Sequence, residues 1–84
     1  MDFKNDLVDG VVERLEDKFG YEVHKFDIDV AGFVRNFLKV NPLVFEEIHE
    51  ERTGRIPTGK EIISVMNTIL PSFERKVKHL KKNA

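Results

Sequence analysis

Residues 58–82 read TGKEIISVMNTILPSFERKVKHLKK, and the reading of this stretch decides the fold. Its apolar residues Ile62, Ile63, Met66, Ile69, Leu70, Phe73, Val77 and Leu80 recur in steps of three and four. On a helix that spacing gathers them into one stripe down one side. Thr58 and Glu61 form a capping-box pattern: the hydroxyl can accept from the amide of Glu61, and the carboxylate can reach back to the amide of Thr58. Pro71 falls inside the periodic run. It removes one backbone hydrogen bond and crowds the preceding turn, so a bend is expected there. The stripe keeps its phase through Met66, Leu70, Phe73 and Val77, which predicts one kinked helix over 58–82 rather than two.

Upstream, shorter helical patterns can cover that stripe. Residues 42–52 predict a short helix opened by Asn41-Pro42, with Leu43, Val44, Phe45 and Ile48 apolar and Glu46, Glu47, Glu50 and Glu51 toward solvent. Proline suits the first helical position, and the residue before it resists the helical region. Residues 28–40 predict a helix capped by Asp27 or Asp29, with Val30, Phe33, Val34, Phe37 and Leu38 on its stripe. Residues 3–19 predict the first helix, with Phe3, Leu7, Val8, Val11, Val12, Leu15 and Phe19 on one face. Asp2 can cap its start, and Gly20 stands where a left-handed terminator is wanted. Gly10 weakens its middle by up to about 1 kcal/mol relative to Ala, and leaves room for a close helix crossing. Tyr21 to Phe26 alternates like a short strand and is expected to be an extended connection. The fold expected is all-α: a small four-helix bundle, orthogonal or irregular because helices two and three meet abruptly, with a long, proline-kinked last helix.

At 84 residues the chain has room for one domain, residues 1–84. A chain this small buries only roughly 60–65% of its unfolded surface, so the core is thin. There is no cysteine to staple it or to hold zinc, which fits a reducing compartment. No basic-then-apolar leader opens the sequence and no uncharged run reaches about 18 residues, so a cytoplasmic, non-membrane protein is expected. The net charge of −1 hides a gradient. Residues 1–29 hold nine acids and four bases, while residues 55–84 hold two acids and seven bases. Opposite ends of opposite sign suit contact between the ends, within one chain or between two.

Several patterns resemble chemistry and fall short of it. Gly54 to Lys60 spells G-x-x-x-x-G-K, but the magnesium-holding hydroxyl that should follow is Glu61, and no strand precedes it. Asp27 to Gly32 opens like a calcium loop, yet the fifth position is Ala31 and the twelfth, which should be a bidentate glutamate, is Leu38. Glu46-x-x-His49 is one half of a di-metal element that needs two. His49-Glu50 starts a zinc-protease pattern whose second histidine is Thr53. Ser64 and Ser72 lie within a helix, without the glycine elbow or base that would activate a hydroxyl. These residues predict no enzyme, no cofactor and no metal.

The basic end bears on partners. Arg75, Lys76, Lys78, Lys81 and Lys82 surround Val77 and Leu80. Several cations on one helix can contact phosphates, or can complement the negative end of the helix dipole. A helix-turn-helix reading of 43–52 and 58 onward would push four glutamates toward a nucleic-acid backbone. A membrane-surface role lacks tryptophan and needs a stripe the core already uses. Because three short helices leave residues 71–82 uncovered, Phe73, Val77 and Leu80 are expected to lie bare on one chain and to meet a partner. The reading is a small intracellular protein–protein interaction module, self-associating as a homodimer, with a regulatory or accessory role. The alternative is nucleic-acid binding through Arg75–Lys82.

Overall fold

In the computed structural model, which describes residues 3–44 and 56–83, the deciding stretch is one helix. We label the helices α1 (Phe3–Phe26), α2 (Val30–Val40) and α3 (Gly59–Lys82). The fold is all-α, and the described residues contain no strand. Residues 42–44 are helical and begin the expected third helix; the rest of it, 45–52, lies outside the described residues, as does the expected cap Asp2. Among the described residues no helix is long and apolar enough to cross a membrane.

The capping box at the head of α3 is present. Thr58 Oγ1 accepts from the Glu61 amide at 3.2 Å, and Glu61 Oε1 accepts from the Thr58 amide at 2.8 Å. The helix runs through Pro71 as a single element. Its buried residues are Val65, Ile69, Phe73 and Val77, four apart throughout; Ile62, Met66, Leu70 and Leu80 flank them half-buried. The stripe is thus centred on Val65, which the spacing argument passed over, whereas Ile63 is 49% exposed. They are two positions apart, about 200° around the helix, so burying one exposes the other.

The largest departure from expectation is in α1. It is 24 residues long and does not stop at Gly20. Phe19 leaves helical geometry (φ −116°, ψ 25°) and the helix then resumes, so Tyr21 to Phe26 is helical rather than extended. Phe19, Val23 and Phe26 fall at helical spacing and pack half-buried against the core, a stronger constraint than the local alternation. The chain turns left-handed later, at Asp27 (φ 51°). There the Ile28 amide donates to the Val23 carbonyl at 3.0 Å and the Asp27 amide to the His24 carbonyl at 3.4 Å. These two bonds are the Schellman arrangement, with buried Ile28 beside Val23.

α2 starts at Asp29, the second of the two expected caps, whose side chain accepts from the Gly32 amide at 2.9 Å. It ends at Asn41, whose backbone and side-chain amides both donate to the Phe37 carbonyl at 3.0 Å. Val30, Val34 and Leu38 are its buried face.

α1 packs against both other helices and is the centre of the fold. A Cβ added to Gly10 would lie 2.6 Å from Ile62 Cδ1, so α3 crosses α1 where the side chain is missing. Further along, the Phe19 and Phe73 ring centroids are 5.0 Å apart, and Lys81 Nζ reaches Glu22 Oε2 at 3.3 Å. Early residues meet early residues and late meet late, so α1 and α3 run in the same direction. Each is about 36 Å long at 1.5 Å per residue, which accounts for a molecule of 42 × 20 × 18 Å. α2 doubles back: Arg35 Nη1 donates to Asn5 Oδ1 at 3.0 Å, and the Phe33 ring sits edge-on to Phe73 at 5.2 Å.

The expectation that Phe73, Val77 and Leu80 lie bare on one chain is therefore corrected. Phe73 is 0% exposed and Val77 4%, while Leu80 is half-buried. Phe19, and Glu22 from the added turns of α1, lie against the C-terminal half of α3 and cover it from within the same molecule.

Three stability predictions follow from this packing, each read by urea denaturation. Phe73→Ala should lose about 3–5 kcal/mol, much of the roughly 4–13 kcal/mol expected for a domain this size. Asp27→Gly should gain about 0.5–1 kcal/mol, because glycine adopts the left-handed terminus without a Cβ penalty. Gly10→Ala should destabilise by about 1–2 kcal/mol, since Ile62 presents three carbons to the added methyl and overpacking outweighs helix propensity. In an Ile62→Ala background the same change should turn neutral or stabilising; additivity between the two substitutions would mean that the helices do not meet there.

Candidate functional site

The C-terminal ends of α1 and α3 enclose a surface groove of about 460 Å³. Phe19, Pro71 and Val77 form its apolar floor; Glu22, Glu74, Arg75, Lys78 and Lys81 form its rim. Both helices are irregular among the residues that line it. Phe19 is the non-helical residue of α1, and Pro71 supplies no amide hydrogen for the Asn67 carbonyl one turn back.

The five expected contact residues Arg75, Lys76, Lys78, Lys81 and Lys82 are all exposed, but they are not equivalent. Lys81 is paired with Glu22, which is only 18% exposed in its side chain, a contact worth up to about 1 kcal/mol. Lys76 places its ammonium 5.6 Å from the Phe33 ring centroid, a cation–π contact that ties it to α2. Arg75 donates to Ser72 Oγ at 3.2 Å. Among the described residues, Arg75, Lys78 and Lys82 make no ion pair. They follow one another at spacings of three and four, so they form one cationic ridge beside the groove.

α1 carries the opposite ridge. Asp9, Glu13 and Asp17 are exposed and four residues apart, and among the described residues none is ion-paired. Like charges at that spacing repel by about 0.2–0.5 kcal/mol per pair. Among the described residues no ion pair relieves either ridge. The sequence reading recognised the cations one by one, yet missed the ridge on α1 and the groove residues Phe19, Glu22, Pro71 and Glu74 as a surface. Phe19 and Val23 at a spacing of four were the available signal that α1 continues past Gly20.

The remaining motifs carry no site. Glu61 binds the Thr58 amide, one of the donors a phosphate would need at the head of α3. Asp29 caps α2, and Leu38, at the twelfth position of the calcium-like loop, is 3% exposed in the core. Glu46, His49, Glu50, Gly54 and Arg55 lie outside the described residues. Among the described residues no three metal-ligating side chains cluster and no polar or charged residue is fully buried. Asp6 Oδ2 is the one enclosed side-chain oxygen there without a hydrogen-bond partner, and it stands without companion ligands. Compared with known protein families, characterised proteins and solved structures, the chain matches none.

Proposed function

We propose that this chain is a small protein–protein interaction module, working as an accessory or regulatory factor, and that its simplest partner is a second copy of itself. The observation that carries this reading is the groove between the C-terminal ends of α1 and α3, with its apolar floor beside a cationic ridge that makes no ion pair among the described residues. Apolar floor supplies area to bury, and the surrounding charge selects what is brought to it. The partner surface is thus displaced from the expected Phe73, Val77 and Leu80. Phe73 supports the floor from within, Val77 is part of it, and Leu80 lies half-buried beside the core. A cysteine-free chain is at home in a reducing compartment, which supports a cytoplasmic setting.

The second reading, nucleic-acid binding, draws on the same cations, since Arg75, Lys78 and Lys82 present several charges within two turns. It is the weaker one. Phe73, the aromatic residue of that end of α3, is buried and unavailable for base stacking, and the carboxylates of α1 would repel a phosphate backbone along the molecule.

Sedimentation velocity and fluorescence anisotropy separate the two. The expected result is a dimer at tens of micromolar in low salt that loosens as salt rises. No salt-dependent anisotropy change should appear with labelled duplex or single-stranded DNA. A monomer at both salt extremes would overturn self-association. DNA binding abolished by Lys78→Glu with Lys82→Glu would establish the nucleic-acid reading instead.

A further inference from the structure

The proposed self-association leaves open how two copies meet, and the charge layout narrows it. α1 and α3 run in the same direction, with Gly10 against Ile62 near one end and Glu22 against Lys81 near the other. The acidic ridge Asp9, Glu13, Asp17 therefore lies toward the first end of the molecule, and the cationic ridge Arg75, Lys78, Lys82 toward the second. The two ridges of one molecule are centred at different levels along its length, and among the described residues no ion pair joins them. Two molecules placed side by side in opposite directions bring the acidic end of each beside the basic end of the other.

We infer that the chain forms a two-fold antiparallel dimer in which the α1 ridge of each copy docks on the α3 ridge of the other, next to the groove. The dimensions agree. Asp9 to Asp17 spans about 12 Å along a helix and Arg75 to Lys82 about 10.5 Å, so three carboxylates face three cations in one register. The pairing runs Asp17 to Arg75, Glu13 to Lys78 and Asp9 to Lys82, with the second member of each pair from the other copy. The two-fold axis repeats the whole set, so these six charges, which make no ion pair among the described residues, all find partners. A parallel arrangement would put cation against cation and is disfavoured by the same charges. This geometry rests on the self-association reading and adds its register, and the two can fail separately.

The test uses charge reversal on the full chain. One variant carries Asp9→Lys, Glu13→Lys and Asp17→Lys; a second carries Arg75→Glu, Lys78→Glu and Lys82→Glu. All six side chains are exposed, and circular dichroism with thermal melting checks that each variant folds. Each alone should self-associate more than about tenfold more weakly than the unmodified chain, and an equimolar mixture should recover a dimer containing one of each. If both variants still dimerise like the unmodified chain, the register is wrong while self-association stands. If the unmodified chain is itself a monomer, both fall. Should either triple variant misfold, single substitutions replace it. The chain has no native thiol, so Glu13→Cys mixed with Lys78→Cys should cross-link on mild oxidation faster than either protein alone. Equal rates in the mixture and the separate proteins would overturn the register.

Discussion

The seat of Phe73 is the constraint on which the rest of the structure depends. Its ring meets Phe19 of α1 at 5.0 Å and Phe33 of α2 at 5.2 Å, so one side chain holds all three helices at one level. An aromatic ring of this size contributes through its area, and tilted or edge-on partners add about 0.5–1.5 kcal/mol each. The contact also dictates what its partners must do. α1 has to reach Phe19 and keep going, or the ring would face water. α2 has to double back at once, which the tight link Asp27–Asp29 achieves with the left-handed Asp27 and the cap on Asp29. Phe19 pays for its position by leaving helical geometry there, and the groove beside Pro71 opens along that irregular stretch.

Much of this was legible where local signals were strong. Thr58 with Glu61 and Asp29 before Val30 cap the starts of their helices, and Asn41 caps the end of α2, because a cap depends on atoms within three or four residues. The end of α1 was not legible, because two signals disagreed. Gly20 reads as a terminator, and a glycine inside a helix costs up to about 1 kcal/mol relative to Ala. Against that stands the partial burial of Phe19, Val23 and Phe26, at about 25 cal/mol per Å² of apolar area removed from water. The second quantity is tertiary, and nothing local to Gly20 announces it. The supposed bareness of Phe73 has a different source: Phe19 and Phe33 both lie inside the predicted helices, and they close over the ring because of how the helices pack, which spacing does not report. The stripe itself is legible in its later half and differs at its start, where the spacing takes in Ile63 and leaves out Val65, two positions on. The groove was invisible to spacing arguments because its walls come from two helices whose relative level only packing sets.

Parallel α1 and α3 give the charge gradient of the chain its physical meaning. Had the helices run in opposite directions, the acidic first third could have lain beside the basic end of the last and neutralised it internally. Running together, they align their dipoles, a mildly unfavourable arrangement that the cations His79, Lys81 and Lys82 in the last turn of α3 offset when charged. The cross-helix ion pair of Lys81 with Glu22 takes a single cation out of that set. The gradient along the sequence therefore survives as a gradient along the molecule.

That survival links stability to association. A domain of 84 residues has a thin core, here thirteen buried apolar side chains among the described residues, and carries two like-charged ridges that oppose its own helices. A partner that neutralises a ridge binds only the folded state, because the ridge exists only when α1 or α3 is helical. Binding of that kind adds to stability by mass action, in proportion to the logarithm of the partner's concentration over its dissociation constant. Repulsion within each ridge disfavours the isolated helix, and in the proposed dimer the same charges would supply the attraction that offsets it. In this fold the helix that packs on Phe73 and the helix that presents the acidic ridge are the same α1, so the core and the ridge rise and fall together.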